Sequence, residues 1–373
     1  MKTKGDGFSM KNYSIKPKVS VVIPVYNTYP FLRQCLDSVV NQTLKELEII
    51  IVNDGSPDNS INIIKEYAER DKRIIVIDQP NGGVGNAINN GIAIATGEYL
   101  AELDSDDYVD INMYEELYAV VTAHDLDIAI SNYRWFTING DKMETWQGGF
   151  LSSNHWYNVV LSAKEHFEHD VFDKRALCYT WTSLYRTTFL HDNNIRWNEK
   201  ARAYNDNGFW IQTRTLAKRL MYINKTYYNY RSDNPGSSVK NFNKFSQDLL
   251  WEFKFIAEYI TKNDLWDMVK THYVINWMRN ILYFILPNLP QEQFRKYITE
   301  AQNILKICPN NNDIVKDDFS YEHEWILFNK ILFNLFAFIC ASKLTRDHHE
   351  LIKRINIIER FQNHKPTEAI KNA

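Results

Sequence analysis

Four short, mostly β-branched runs, each closed by a loop of polar and glycine residues, restrict this chain more than anything else in it. They lie at 19–25, 47–52, 74–77 and 99–103. Runs this short and this apolar suit strands buried on both faces of a parallel sheet. Between them, the stretches from Tyr29 to about Gln42, 60–70 and 85–96 carry helical patterns, the first with Phe31, Leu32, Cys35, Leu36 and Val39 on one face. Strands alternating with helices at this spacing imply right-handed crossovers and a mostly parallel sheet with helices on both faces, an α/β fold.

Ligands of such sheets bind beyond the carboxyl ends of the strands. The loops expected there are Tyr26-Asn27, Asp54-Gly55-Ser56, Asn81-Gly82-Gly83 and Asp104-Ser105-Asp106. Any one of them is an ordinary turn, but four placed alike point to a nucleotide pocket. Asp54 is suited to accept from a base imide or a ribose hydroxyl, and Tyr26 to pack on a base. Gly82 and Gly83 would let backbone approach a sugar or phosphate closely. The last loop crowds Asp104, Asp106 and Asp107, which costs stability unless a positive charge shares the site. Mg2+ or Mn2+ takes oxygen ligands and shares them with a phosphate. Taken alone, the triplet reads as an acidic turn capping a helix that starts near Ile111. Neither a Walker loop nor a Gly-x-Gly-x-x-Gly fingerprint is present, which argues against a kinase or a dinucleotide dehydrogenase.

Residues 18–134 resemble the donor-binding half of the family-two glycosyltransferases. The resemblance rests on Val21-Val-Ile-Pro-Val-Tyr-Asn27, Ile51-Val-Asn-Asp-Gly-Ser56, Asn81-Gly-Gly83, Ala95-Thr-Gly97 and Leu103-Asp-Ser-Asp-Asp107, in that order. It implies the GT-A fold and a nucleotide-diphospho-sugar donor. Asp54 would contact the uracil or ribose, Asp104 the ribose or sugar, and Asp106 the metal. Pro24, Tyr26, Asn27, Asn81, Gly82, Gly83 and Ser105 complete the donor side. Residues 135–240 would form the acceptor half and lid. There 177–186 resembles the family's Trp-x-x-Leu-Tyr-Arg segment, and Asp206 matches the aspartate that serves as catalytic base. Asn205 stands where the family has glutamate.

The chemistry explains the division. Inverting transfer is a single displacement in which the acceptor hydroxyl loses its proton as it attacks opposite the leaving diphosphate. One carboxylate cannot serve both sides of the sugar, so Asp206 and Asp106 divide the work. Asp206 reads equally as an N-cap of a helix over 208–218. Trp181 and Asn205 are the acceptor-side candidates, Trp181 as a sugar platform or as a core tryptophan. The segment 227–239 resembles the family's Tyr-Tyr-x-Tyr-Arg stretch and closing loop. Arg231, Ser237 and Ser238 are its phosphate candidates. The histidine that many members carry there as a metal ligand is missing, so Asp233 or water would complete the shell.

A chain of 373 residues suits two or three domains. The reading is a flexible lead-in over 1–17, the GT-A domain over 18–240 and an α-helical domain over 241–373. Helical patterns there run over 246–262, 265–286, 291–307 and 322–342. Apolar stretches at 277–286 and 325–339 either pack on neighbouring helices or dock on a membrane, with Lys343, Arg346, Lys353, Arg354, Arg360 and Lys365 nearby. A net charge of -3 gives no reason to bind nucleic acid. Four scattered cysteines suit a reducing compartment, and the polar start lacks a signal peptide's apolar core. The expectation is a cytoplasmic or inner-face peripheral enzyme dependent on Mn2+ or Mg2+. It would move sugar from a UDP-sugar to a hydroxyl of a capsule, lipooligosaccharide, other surface polysaccharide or lipid-linked glycan. A nucleotidyltransferase would need a basic glycine-rich loop where Pro24-Val-Tyr-Asn27 stands. A non-catalytic sugar-nucleotide or glycan-binding scaffold is the alternative that Asn205 and the missing histidine favour.

Overall fold

Strand β1 (Val19–Val25) is buried along its whole length, as is β2 (Leu47–Asp54), which requires cover on both faces of the sheet. The computed structural model describes residues 16–139, 142–148, 154–169, 179–237, 245–270, 273, 289 and 291–307. The expected lead-in before Lys16, Ser238, most of the helix expected over 265–286 and all of that over 322–342 lie outside them. The chain divides into two units, Met1–Lys240 and Asn241–Ala373.

In the first unit β1 pairs in parallel with β2, and β2 with β3 (Ile74–Gln79). On its other side β1 pairs in parallel with β4 (Tyr99–Glu102). Helices α1 (Tyr29–Val40), α2 (Ser60–Arg70) and α3 (Val84–Ile94) make the crossovers. The order β3-β2-β1-β4 means the chain steps outward twice and then returns past β1. That reversal opens a crevice between the ends of β1 and β4, where such sheets bind ligands. Pro24 is tolerated beside it for a backbone reason. The Val22 carbonyl accepts from Leu103 on the β4 side at 3.0 Å. Pro24, two residues on, faces the same way but beyond Glu102, the last paired residue of β4. Its missing N–H therefore costs no ladder bond.

Beyond β4 the ten-stranded sheet turns mixed. Antiparallel β9 (Ser183–Arg186) bridges β4 to β6 (Ile128–Asn139), and β6 runs parallel to β10 (Leu220–Arg231). Short β5 (Tyr108–Val109) closes the edge against β10. Two expectations need correction here. The stretch 141–158, read as a surface excursion for want of periodicity, contains β7 (Lys142–Gly148), which pairs antiparallel with β6. A hairpin strand at a sheet margin needs no apolar alternation to form, since its backbone partners hold it. The short strand expected at 220–223 continues to Arg231 through irregularities near Ile223 and Thr226. β8 (Val160–Leu161) also pairs with β10. Helices α4 (Met113–Ala123), α5 (Ala163–Glu168), α6 (Thr187–Asp192) and α7 (Asp206–Leu216) complete the unit.

In the second unit, α8 (Ser246–Lys262) buries Leu249, Leu250, Phe253, Ile256, Ala257 and Ile260, the spacing of one helix face. It packs with α9 (Gln291–Leu305), where Gln247 donates to Glu300 at 3.1 Å. Tyr273 donates to the Phe253 carbonyl at 2.9 Å. Among the described residues no helix is long and apolar enough to cross a membrane.

Candidate active site

The loop after β4 owes its shape to buried polar bonds rather than to its charges. Thr28 donates to the Ser105 hydroxyl at 2.9 Å, tying the ends of β1 and β4 across the crevice. The buried Cys35 thiol donates to the Asp104 carbonyl at 3.6 Å. The three aspartates then take different surroundings. Asp107 is buried, accepting from the Tyr228 hydroxyl at 2.9 Å and the Arg231 amide at 2.7 Å, so it bolts the loop to β10. Asp106 accepts from the Asn234 amide on Oδ2 at 2.6 Å, and among the described residues no other residue donates to its Oδ1; its own backbone N–H also bonds the carboxylate. The Asp104 carboxylate takes no hydrogen bond among the described residues, while its backbone N–H donates to Tyr228 Oη at 3.2 Å.

Across from this loop, Asp206 opens α7. Its Oδ1 accepts from the Asn207 backbone N–H at 3.0 Å and the Asn207 side chain at 3.1 Å. Burial pushes Asp206 up to about 7, against the pull of the Asn207 bond. Burial, then the charges of Asp106 and Asp206, raises Asp104 to about 7 as well. Asp106 is also raised, first by burial, with Asn234 and Arg231 pulling the other way. Residues a hundred positions apart in the chain thus share one electrostatic site. Glu102, one strand position before the loop, joins them. It is buried, bonded to Thr180, and held well above the usual carboxylate range by burial. Nothing in the sequence singled out Glu102 inside an apolar run.

Among the described residues no three His, Cys, Asp or Glu side chains converge into a protein cage for a metal. The donor set suits a different arrangement. A hard divalent ion that keeps water and takes substrate phosphate needs only one or two carboxylates from the protein, and Asp106, whose Oδ1 has no donor from another described residue, fits that need.

The β2 and β3 loops are knitted together by Asp54. Its Oδ1 accepts from Gln79 at 2.9 Å and the Gly82 N–H at 2.7 Å, and its Oδ2 from the Gly83 N–H at 2.9 Å. The Asn81 side chain donates to the Asp54 carbonyl at 3.1 Å. Gly55 has φ +63°, and a Cβ there would stand 2.7 Å from the Asn81 nitrogen, so only glycine fits beneath this loop. On the β1 side, the Asn27 N–H donates to Ser56 at 2.7 Å and the Tyr29 N–H to Asp58 at 2.8 Å. Tyr26, in the same loop, is 51% exposed.

Residues 20–199 match the family model described as Glycosyl transferase family 2. These residues form a glycosyl transferase family 2 domain. The uncharacterized glycosyltransferase EpsJ of Bacillus subtilis is 36% identical over 223 residues, 59% of this chain and 62% of that protein. The hyaluronan synthase of Pasteurella multocida is 27% identical over 351 residues, 80% of this chain and 35% of that one. The chain thus spans about three fifths of the first relative and about a third of the second. In structure it resembles Staphylococcus aureus TarS, solved in complex with UDP-GlcNAc. The TM-score is 0.54 at 20% identity, covering 78% of this chain and 82% of that one. At that identity the likeness speaks for the fold, which is GT-A.

Several expected residues have other surroundings than their sequence positions implied. Trp181 is 6% exposed. Tyr228 stacks on it at 4.1 Å, Tyr179 at 4.6 Å and Tyr230 at 5.6 Å, with the Tyr133 edge at 5.2 Å. It is a core tryptophan and not an open platform. The sequence left both readings in place because an aromatic cluster drawn from three segments has no local signature. Asn205 is buried, donates to the Ala201 carbonyl at 3.0 Å and packs against Gly85, so it braces a loop instead of facing an acceptor.

Arg231, expected on phosphate, is 4% exposed and lies between the Phe31 and Phe136 rings, each at 4.5 Å. Its Nε donates to the Asp106 carbonyl at 2.9 Å, and its Nη groups bond Gln34 and Asp233. It is a strut under the acidic loop. Asp233, considered for the metal, is taken up by Arg231 and by the Ile138 N–H at 3.0 Å. The lid residue that meets Asp106 is Asn234, which the sequence did not single out. Gly82 and Gly83 spend their N–H groups on Asp54, so their observed role is to shape the loop.

Proposed function

We propose that this chain is an inverting glycosyltransferase that moves a sugar from a UDP-sugar to a hydroxyl of a bacterial surface polysaccharide or lipid-linked glycan. The observation that carries the reading is the meeting of Asp104 and Asp106, at the switch point of the sheet, with Asp206 at the start of α7. The family match supports transfer chemistry. The UDP-GlcNAc complex of TarS supports a uridine nucleotide donor, and the name of the hyaluronan synthase supports a polysaccharide product.

In this scheme the exposed Tyr26 packs on the base. Asp54 keeps one carboxylate lone pair for a ribose or uracil donor, and Asp104 orients ribose or sugar. Asp106 would hold Mn2+ or Mg2+, which neutralises charge on the departing diphosphate. Asn234 meets the same carboxylate from the lid and would yield or reorient as the donor enters. Asp206 takes the acceptor proton. Raised to about 7, it is basic enough to accept a proton as the hydroxyl attacks, yet substantially ionised near neutral pH. Burial of Asn205 answers one argument for a non-catalytic scaffold, since that position serves packing whatever the chemistry.

Thermal denaturation with UDP and a panel of UDP-sugars, each with and without Mn2+, tests the donor side. Metal-dependent stabilisation by one UDP-sugar is expected, and a flat response to all of them would leave the scaffold reading. Asp206→Asn is expected to keep that stabilisation and to lose transfer by about a hundredfold or more. Loss of donor binding as well would make Asp206 structural. Asp106→Ala is expected to abolish the Mn2+-dependent part of UDP affinity in calorimetry.

A further inference from the structure

The turn ahead of α7 is held in an unusual way. Tyr204 has φ +65°, a left-handed conformation that a bulky side chain adopts at a cost. The turn returns two bonds to its carbonyl, from the Asn207 N–H at 3.1 Å and the Asn207 side chain at 2.7 Å. The same side chain also reaches Asp206 Oδ1, 3.1 Å away, joined there by the Asn207 backbone N–H at 3.0 Å. Among the described residues no other residue donates to Asp206 Oδ2, although the aspartate's own backbone N–H also reaches the carboxylate. One amide thus ties the strained backbone to one oxygen of the carboxylate and leaves the other without a donor from any other described residue.

We infer that Asn207 is a positioning residue that fixes the Asp206 carboxylate through Oδ1, so that Oδ2 is the oxygen that receives the acceptor proton. The inference rests on the reading of Asp206 as the base. Its physical content is that two donors on one oxygen select a single side-chain rotamer and favour the ionised form. Asp104 and Glu102 from β4, and Tyr179 ahead of β9, are the titratable groups that feel Asp206. The carboxyls oppose its ionisation, and Asn207 works against them.

The test needs no substrate. Urea unfolding of four metal-free proteins is followed at pH 5.5 and pH 8.5: the native chain, Asn207→Ala, Asp206→Asn and the double variant. Loss of the Asn207 side chain should cost more at pH 8.5, where Asp206 is ionised, than at pH 5.5, by about tenfold in the unfolding equilibrium. In the Asp206→Asn background the two costs should be equal. A cost equal at both pH values with Asp206 present would overturn the inference and leave Asn207 as a brace for Tyr204 alone. Should Asn207→Ala not fold, Asn207→Asp keeps the shape and replaces the donor with a like charge, and the same pH contrast is expected, enlarged.

Release of UDP from UDP-GlcNAc separates this from the reading beneath it. If Asp206→Asn releases UDP like the native chain while the pH-dependent coupling stands, the base assignment fails and the positioning of the carboxylate survives. If Asp206→Asn is inactive and the coupling is absent, the positioning alone fails. With both intact, Asn207→Ala should lower the rate and move its acid limb upward, with little change in the UDP-GlcNAc concentration at half-maximal rate.

Discussion

Three aspartates within four residues have three fates, and surroundings decide each. Asp107 is consumed by Tyr228 and Arg231, Asp106 is half committed to Asn234, and the Asp104 carboxylate takes no hydrogen bond among the described residues. The same lesson holds for Trp181, which looks like a sugar platform in the sequence and is enclosed by four tyrosines in the fold. Trp181→Ala is therefore expected to cost about 3–5 kcal/mol of stability by leaving a cavity. Chemical denaturation checks this, and a folded, fully stable variant with weakened acceptor use would restore the platform reading. Arg231 shows the converse. A cation beside an acidic loop invites a phosphate role, but its aromatic neighbours and three bonded partners make it part of the loop's foundation.

At the scale of elements, the segment from Trp197 to Asp206 matters most. It runs alongside α3, where Asn89 exchanges bonds with the Trp197 backbone at 3.0 Å each way. Glu199 accepts from Asn86 at 3.1 Å and Asn89 at 2.9 Å. Asn86 in turn bonds Gln79 at 2.8 Å, and Gln79 bonds Asp54. A polar chain thus connects the donor loop to the segment that ends in Asp206. Beside it Gly85 packs closely, since a Cβ there would stand 2.9 Å from both the Asn198 carbonyl oxygen and Asn205 Nδ2. Gly85→Ala should cost about 1–3 kcal/mol by forcing backbone apart, and should slow transfer more than it weakens UDP binding. Unfolding curves with UDP titrations decide this, and unaltered turnover would show that the segment has slack.

At the scale of the molecule, the clustered carboxyls make stability depend on pH in a definite direction. Asp104 and Asp206 titrate near 7 when folded, against an ordinary value of 3.8. The folded state therefore binds protons more readily than the unfolded chain. The stability this confers is full below about 4 and is lost as pH rises through about 7. A divalent cation that shares the site should relieve the penalty where the carboxyls are ionised. The rise in melting temperature on adding Mn2+ with UDP should then be larger at pH 8 than at pH 5.5. Equal rises at both values would place the cation away from these carboxylates.

The α/β class and its first four strands were legible in the sequence because strands buried on both faces must be apolar throughout, and helices between them must show a face. The polar and glycine loops at the strand ends were legible too, since each follows directly on a strand of the parallel sheet. Loops are also where local sequence stops deciding. Whether Asp54 holds a ligand or the Gly82–Gly83 amides, whether Trp181 is open, and which residue of the loop after β10 meets Asp106 depend on segments from tens to more than a hundred positions away. β7 left no periodic signal because backbone pairing, not side-chain periodicity, holds a strand at the margin of a sheet, and the extent of β10 beyond Ile223 is hidden by the irregularities in its pairing. Sequence determined which residues were available for chemistry. Tertiary structure decided which of them kept an uncommitted oxygen, because hydrogen bonds and burial are set by neighbours that only the folded chain brings near.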